Sequence, residues 1–208
     1  MEKSHEELET KKSEKGQTNK SKKNNGDTTV ELTMAALHTA VLCVLAPHTL
    51  YLPFSPVGIT IGSFLLYLTG LLLGPKLGCV SIFLYMCIGF VGLPVFSGYT
   101  AGAGVLFGPT GGFLLGYLPC VAVVGVLCKR TAVGKKGIVR FLTGMVAGTL
   151  ILYMAGTLWF CFFYGEGSSF RNALKACVLP FLPFDIVKIV LAILLYKPAL
   201  RLRMNSRV

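Results

Sequence analysis

The sequence predicts an all-α, polytopic membrane protein with six transmembrane helices. Hydrophobic residues make up 53% of its 208 residues and charged residues only 14%, whereas soluble domains carry about a quarter charged residues. The apolar residues also fall into six runs that approach the ~20 residues a spanning helix needs. Because a chain this apolar cannot cover itself with a polar surface, we expect the lipid bilayer to be its solvent.

The six predicted helices are separated by turn residues and by charges. Gly74, Pro75 and Lys76 form a tight turn between the second and third, and Pro47 and Pro53 mark the end of the first. The predicted helices are Met34–Leu52, Ile59–Leu73, Leu77–Gly92, Gly111–Leu127, Phe141–Phe163 and Ala176–Tyr196.

Three regions are expected along the chain. Residues 1–30 are a polar tail that we expect to be disordered, because they have almost nothing to bury. Residues 31–197 form the membrane domain, and residues 198–208 form a basic cytoplasmic tail.

The basic residues predict the orientation. With the amino terminus inside, seventeen of the twenty Lys and Arg residues lie on the inner side, Arg171 and Lys175 lie outside, and Lys188 lies within the sixth helix. This bias predicts a multi-pass protein of the plasma (inner) membrane with both termini cytoplasmic. Basic residues that flank apolar helices also argue against a nucleic-acid partner, which would need them clustered on one exposed face.

A glycine-rich segment, Leu93–Gly112, precedes the fourth helix. Six of its twenty residues are glycine and two are proline, too many for a confident helix, and it is too apolar for a solvated loop. Non-helical backbone at membrane depth must be buried by protein or line a cavity. We therefore expect a structured loop over the outer mouth of the bundle; the alternative is a flexible outer loop.

The sixth helix contains an acid and a base, Asp185 and Lys188, within the membrane span. Each costs ~2.5–3.5 kcal/mol to insert at a helix centre, and their spacing of three puts them on one helix face. They form either a polar clamp for a ligand or an ion pair that only fixes the helix. Five aromatic residues are candidates for the wall of a pocket: Tyr85, Phe96, Tyr99, Tyr117 and Trp159.

Catalytic signatures are absent from the sequence. It contains no phosphate-binding glycine loop and no nucleophile motif, and its seven scattered cysteines form no CxxC or Cys/His pattern. We expect no enzyme activity, no cofactor and no metal. The sequence indicates a ligand-binding membrane bundle that takes its energy from elsewhere.

Several motifs together resemble the BioY family. They are GLLLGPKLG at Gly70–Gly78, YMCIGFVGLPVF at Tyr85–Phe96, GPTGGFLLGY at Gly108–Tyr117 and FDIVK at Phe184–Lys188. PFSPVGIT at Pro53–Thr60 is similar to the family's first outer loop, although the polar amide that usually follows is replaced in Thr60-Ile61-Gly62-Ser63.

The resemblance implies a substrate-binding (S) component of an energy-coupling-factor (ECF) transporter, with six helices and biotin bound near the outer face. It implies a coupling membrane protein and two cytoplasmic ATPase subunits as partners, with Ala36 and Ala40 forming the docking face. The alternatives are an S component for another vitamin, such as thiamine, riboflavin or a pterin, a membrane enzyme, or a membrane scaffold. The ligand-binding residues expected on this basis are Asp185, Lys188, Tyr85, Phe96, Tyr99, Gly108, Thr110, Gly111, Gly112 and Tyr117.

Overall fold

The computed structural model describes residues 28–50, 59–128, 135–164 and 182–205. These residues are mostly helical, with one antiparallel pair of two-residue strands. In chain order the elements are α1 Thr28–Leu45, β1 Thr49–Leu50, β2 Ile59–Thr60, α2 Gly62–Phe90, α3 Ala103–Leu106, α4 Gly111–Cys128, α5 Lys135–Tyr164 and α6 Leu182–Asn205. Among the described helices, four are long and apolar enough to cross a membrane: α1, α2, α4 and α5.

Helix α2 consists of two arms that fold back on each other at Gly74. This glycine has φ 75° and ψ −172°, a conformation that glycine adopts without the strain of a side chain, and Pro75 follows it. Gly78 of the second arm lies against Thr69 of the first: a Cβ on Gly78 would be 3.7 Å from Thr69 Cγ2. The second and third predicted helices are therefore the two arms of α2.

Each arm of α2 is shorter than the ~20 residues of a typical span. Helix α2 reaches membrane length only when the residues of both arms are counted together. The prediction of an all-α, polytopic membrane protein is confirmed, whereas its count of six spans is not fully confirmed.

Helix α4 occupies the centre of the bundle, between α2 and α5. It approaches both neighbours through small residues, which let helix backbones come close together in lipid. A Cβ on Gly125 would lie 2.4 Å from the backbone nitrogen of Pro75, and one on Gly148 of α5 would lie 2.8 Å from Cys120 Sγ. The core of the protein therefore surrounds α4.

Helices α4, α5 and α6 alternate in direction. Gly112 at the start of α4 meets Trp159 near the end of α5, so these helices are antiparallel. The rings of Tyr196 and Phe141 stack with centroids 5.8 Å apart. Because Phe141 lies near the start of α5, α6 also runs antiparallel to α5.

Several helix bounds differ from the sequence-based predictions. Helix α1 begins at Thr28 rather than Met34 and ends at Leu45 rather than Leu52, because the chain turns at Pro47 into β1. Helix α5 begins at Lys135 instead of Phe141, and α6 continues past Tyr196 to Asn205 through Pro198. Residues 1–27, 51–58, 129–134, 165–181 and 206–208, on which parts of the predicted tails, loops and sixth helix fall, lie outside the described residues.

The Leu93–Gly112 segment is a structured loop. Its backbone hydrogen bonds attach it to the end of α1 and to the second arm of α2: Gly98 N–H donates to Pro47 O at 2.9 Å, and Gly102 N–H donates to Gly89 O at 2.8 Å. The loop therefore joins two helices at the end of the bundle where α4 begins.

Candidate functional site

A cavity opens between α2, the Leu93–Gly112 loop, α4, α5 and α6. It lies at the end of the bundle where the first arm of α2, α4 and α6 begin. Most of its wall is apolar or aromatic, and one anion and one cation are among the described residues that line it. The lining residues are Thr60, Ser63, Tyr67, Phe96, Ser97, Val105, Thr110, Phe113, Leu114, Tyr117, Thr149, Leu152, Tyr153, Asp185 and Lys188.

The charged pair of α6 lies inside this cavity. Lys188 Nζ is 3.1 Å from Asp185 Oδ1 and donates a second hydrogen bond of 2.8 Å to Ser63 Oγ. Tyr153 of α5 donates its hydroxyl hydrogen to Asp185 Oδ2. Because Lys188 is 9% exposed, it makes these contacts in a setting with little water, where charge-assisted hydrogen bonds are strong.

A second pair of hydroxyl groups lies deeper on the same wall. Tyr67 and Thr149 are joined by a hydrogen bond of 2.6 Å, and Thr149 also donates to Met145 O at 2.9 Å. A buried hydroxyl group is costly unless it is hydrogen-bonded. The cavity is therefore amphipathic, as most small-molecule sites are.

Phe96 forms part of the cavity wall and is fully buried. Its ring presses on Gly89: a Cβ on Gly89 would lie 2.2–2.7 Å from three of its ring atoms. Tyr85 supports Phe96 from the side, with ring centroids 5.7 Å apart at 80°. The Tyr85 hydroxyl donates to Val95 O at 3.0 Å. Phe96 and Tyr117 thus border the cavity, whereas Tyr85 contacts the loop that carries Phe96.

Tyr99 lies away from this cavity, at the exposed edge of the loop. Its side chain is 60% exposed, and its hydroxyl is 3.1 Å from His48 Nε2. It borders a separate groove with His48 and Ile61, which also touches Thr60 and Lys188. The structure therefore separates Tyr99 from the other aromatic candidates.

The glycines at the start of α4 contact Trp159 rather than the cavity. Gly108 O accepts a hydrogen bond of 3.0 Å from Trp159 Nε1. A Cβ on Gly112 would lie 2.2 Å from Trp159 Cβ, and one on Gly111 would lie 1.9 Å from Leu106 O. Thr110 is the member of this run that lines the cavity. The glycines allow close packing of the loop, α4 and α5.

Sequence reasoning did not select six polar residues of the cavity as ligand contacts. They are Thr60, Ser63, Tyr67, Ser97, Thr149 and Tyr153. Thr149 and Tyr153 carried a usable signal, because polar residues four apart share one face of an otherwise apolar helix. Ser63 and Tyr67 lie four apart in the same way on the first arm of α2.

The fold and the site together define a class: a polytopic α-helical membrane protein with an amphipathic ligand cavity at one end of its bundle. The same fold occurs in the crystal structure of the S-component for biotin from an ECF-type ABC transporter. The two structures agree with a TM-score of 0.71 over 88% of this chain and 94% of that one, at 24% sequence identity. Residues 15–205 match the BioY family, and the chain belongs to that family.

Relatives from three organisms are similar to this chain over most of their length. The probable biotin transporter BioY of Pyrococcus horikoshii is 35% identical, with 79% of this chain and 93% of that protein covered. The biotin transporter BioY of Thermotoga maritima is 35% identical, with 83% and 95% covered. The biotin transporter BioY2 of Lactococcus lactis is 40% identical, with 78% and 84% covered.

Proposed function

We propose that this protein is the biotin-binding membrane subunit of a vitamin importer. The observation that carries the proposal is the Lys188–Asp185 pair, which faces an otherwise mainly apolar cavity in a chain of the BioY family. An ion pair that served only to fix α6 would not need a cavity beside it. A membrane scaffold, the non-transport alternative, leaves both the pair and the cavity without a role.

The chemistry of biotin matches this cavity. Biotin has a ureido group with two N–H donors and a carbonyl, an apolar ring and chain, and a terminal carboxylate. In the proposal, Asp185 accepts from the ureido N–H groups or orients the residues that do. Lys188 balances negative charge on the ligand or on Asp185. Phe96, Thr110 and Tyr117 contact the ligand directly, while Tyr85, Tyr99, Gly108, Gly111 and Gly112 support the loop over it.

The energy for import comes from partners in this proposal. The sequence has no phosphate-binding loop, so hydrolysis of ATP falls to two cytoplasmic ATPase subunits, joined through an ECF coupling membrane protein. Ala36 and Ala40 are both exposed on α1, whereas Ala35 and Thr39 are buried. An exposed pair of alanines four residues apart is a flat surface against which another membrane helix packs closely.

The importer lies in the plasma (inner) membrane with both termini cytoplasmic, according to the distribution of basic residues. Single cysteines at Ser168 and Gly134, both outside the described residues, test this orientation in a variant without the seven native cysteines. An impermeant thiol reagent applied from outside is expected to label the cysteine at position 168 and not the one at position 134. The reverse labelling pattern would contradict the orientation.

A binding measurement on detergent-purified protein tests the function. The wild type is titrated with biotin, thiamine, riboflavin and a pterin, and we expect binding of biotin alone. A hydrogen bond to a charged group contributes ~1.5–3 kcal/mol. Asp185→Asn and Lys188→Met are therefore expected to weaken biotin binding by roughly ten- to hundredfold, whereas Lys76→Met removes an exposed cation elsewhere and should leave it unchanged.

Two results would overturn the proposal in different ways. Binding of another vitamin in place of biotin would favour an S component for that vitamin. Wild-type biotin affinity in both Asp185→Asn and Lys188→Met would leave the pair as a structural ion pair.

A further inference from the structure

The carboxylate of Asp185 is engaged on both of its oxygens, by two different helices. Oδ1 accepts from Lys188 of the same helix with a nitrogen–oxygen distance of 3.1 Å, and Oδ2 accepts from the hydroxyl of Tyr153 on α5. Rotation of the carboxylate about its Cβ–Cγ bond would break or exchange these bonds. Two contacts from different sides therefore define its orientation.

Tyr153 of α5 supplies the contact to Oδ2 of Asp185, whereas the contact to Oδ1 comes from α6 itself. Without it, the ammonium of Lys188 is free to attract both carboxylate oxygens, because Asp185 and Lys188 lie on one face of a single helix. The carboxylate would then turn toward Lys188. The hydroxyl of Tyr153 instead keeps Oδ2 on the α5 side of the cavity, which all three residues line.

The neighbouring hydroxyl group on α5 has a different partner. Thr149 lies one turn before Tyr153 and also lines the cavity, but it is paired with Tyr67. The two polar residues on this face of α5 therefore have separate partners. Tyr153 is the one whose hydroxyl meets the charged pair.

We propose that Tyr153 is a positioning residue for ligand recognition, which acts through Asp185 by fixing the orientation in which the carboxylate meets the ligand. This inference rests on the proposed function, because its readout is biotin binding. It adds a specific role for the hydroxyl: Tyr153 sets the geometry of Asp185, and Asp185 makes the contact.

A double-mutant cycle separates this role from direct contact and from general stability. Tyr153→Phe removes only the hydroxyl group and is expected to weaken biotin binding roughly tenfold, the effect of one hydrogen bond to a charged group. Tyr196→Phe removes another tyrosine hydroxyl, outside the cavity, and should leave affinity unchanged. In the Asp185→Asn background, Tyr153→Phe should weaken biotin binding further by less than about twofold, because the effects of substitutions that remove the same interaction are not additive.

An equal loss from Tyr153→Phe in the wild-type and Asp185→Asn backgrounds would overturn the inference, because Tyr153 would then act independently of the carboxylate. Unchanged affinity in Tyr153→Phe would overturn it as well. A wild type that binds no biotin would instead overturn the proposed function, and that result is obtained before any variant is made.

Infrared spectroscopy of the ligand-free protein tests the same contact without a ligand. The carboxylate band of Asp185 is identified as the band lost in Asp185→Asn. It is expected to shift in Tyr153→Phe, where one of its hydrogen bonds is gone, and to stay in place in Tyr196→Phe. A band that does not move in Tyr153→Phe would contradict the proposed role.

Discussion

The ammonium group of Lys188 on α6 lies 2.8 Å from Ser63 Oγ on the first arm of α2, although the two residues are 125 positions apart in the chain. The hydroxyl of Ser63 gives Lys188 a neutral acceptor beside the charged one on Asp185. It directs the ammonium across the cavity, from α6 toward α2. Ser63 therefore sets the direction of the Lys188 ammonium group, which is the one cation among the described residues that line the cavity.

Replacing Ser63 tests this contact. Ser63→Ala removes the acceptor and is expected to weaken biotin binding by about tenfold, as for one hydrogen bond to a charged group. Ser63→Thr keeps the hydroxyl and should bind nearly as the wild type does. Titration of the purified variants with biotin measures both. Equal affinities for the alanine and threonine variants would rule out a role for the hydroxyl.

The contact between Gly89 and Phe96 predicts a second effect. Gly89→Ala places a methyl group 2.2–2.7 Å from three ring atoms of Phe96, so the ring must move into the cavity or the loop must lift. Overpacking of this kind costs about 1–3 kcal/mol. We expect a lower melting temperature and weaker biotin binding, measured by thermal unfolding in detergent and by titration.

Gly104→Ala is the matched control for this substitution. A Cβ on Gly104 meets no atom within 4 Å, and the residue lies in α3, within the Leu93–Gly112 loop that also carries Phe96. The variant should unfold and bind biotin as the wild type does. If Gly89→Ala also behaves as the wild type does, Phe96 is not held in place by Gly89.

Close packing around α4 predicts a third effect, on stability. Gly125→Ala would place a Cβ 2.4 Å from the backbone nitrogen of Pro75, which no side-chain rotation can relieve. We expect destabilisation of about 1–3 kcal/mol and a lower melting temperature. Gly144→Ala is the control, because its nearest neighbour would be at 3.5 Å, an ordinary contact. Equal melting temperatures for the two variants would contradict close contact between α4 and the turn of α2.

Because Ala36 and Ala40 are exposed on α1, we expect their replacement to affect biotin transport but not biotin binding. Ala36→Trp or Ala40→Trp should abolish biotin uptake by cells that express the partner subunits, because a bulky side chain prevents close helix approach in lipid. Biotin binding by the purified variants should be unchanged. Val146→Trp, on the exposed face of α5, is the control and should transport normally. A loss of binding in the α1 variants would mean that these alanines are needed for packing within the protein.

The sequence by itself determined the class of the protein and located the charged pair that lines the cavity. Apolar runs separated by turn residues predicted the helices because lipid forces the backbone to satisfy its own hydrogen bonds, and a helix does this locally. Asp185 and Lys188 were recognised because charge is costly within a membrane span. The Gly74–Pro75 turn was also predicted, since it depends on residues adjacent in sequence.

Only the tertiary structure decided which residues meet across helices. Ser63 and Tyr153 lie far from Asp185 and Lys188 in the chain, and each is an ordinary polar residue in its own helix. Tyr85 and Phe96 were equal candidates in the sequence, yet Phe96 borders the cavity and Tyr85 contacts the loop that carries it. Helix periodicity defines a face within one helix, whereas the choice of neighbour depends on close packing of side chains from several helices, which no local pattern records.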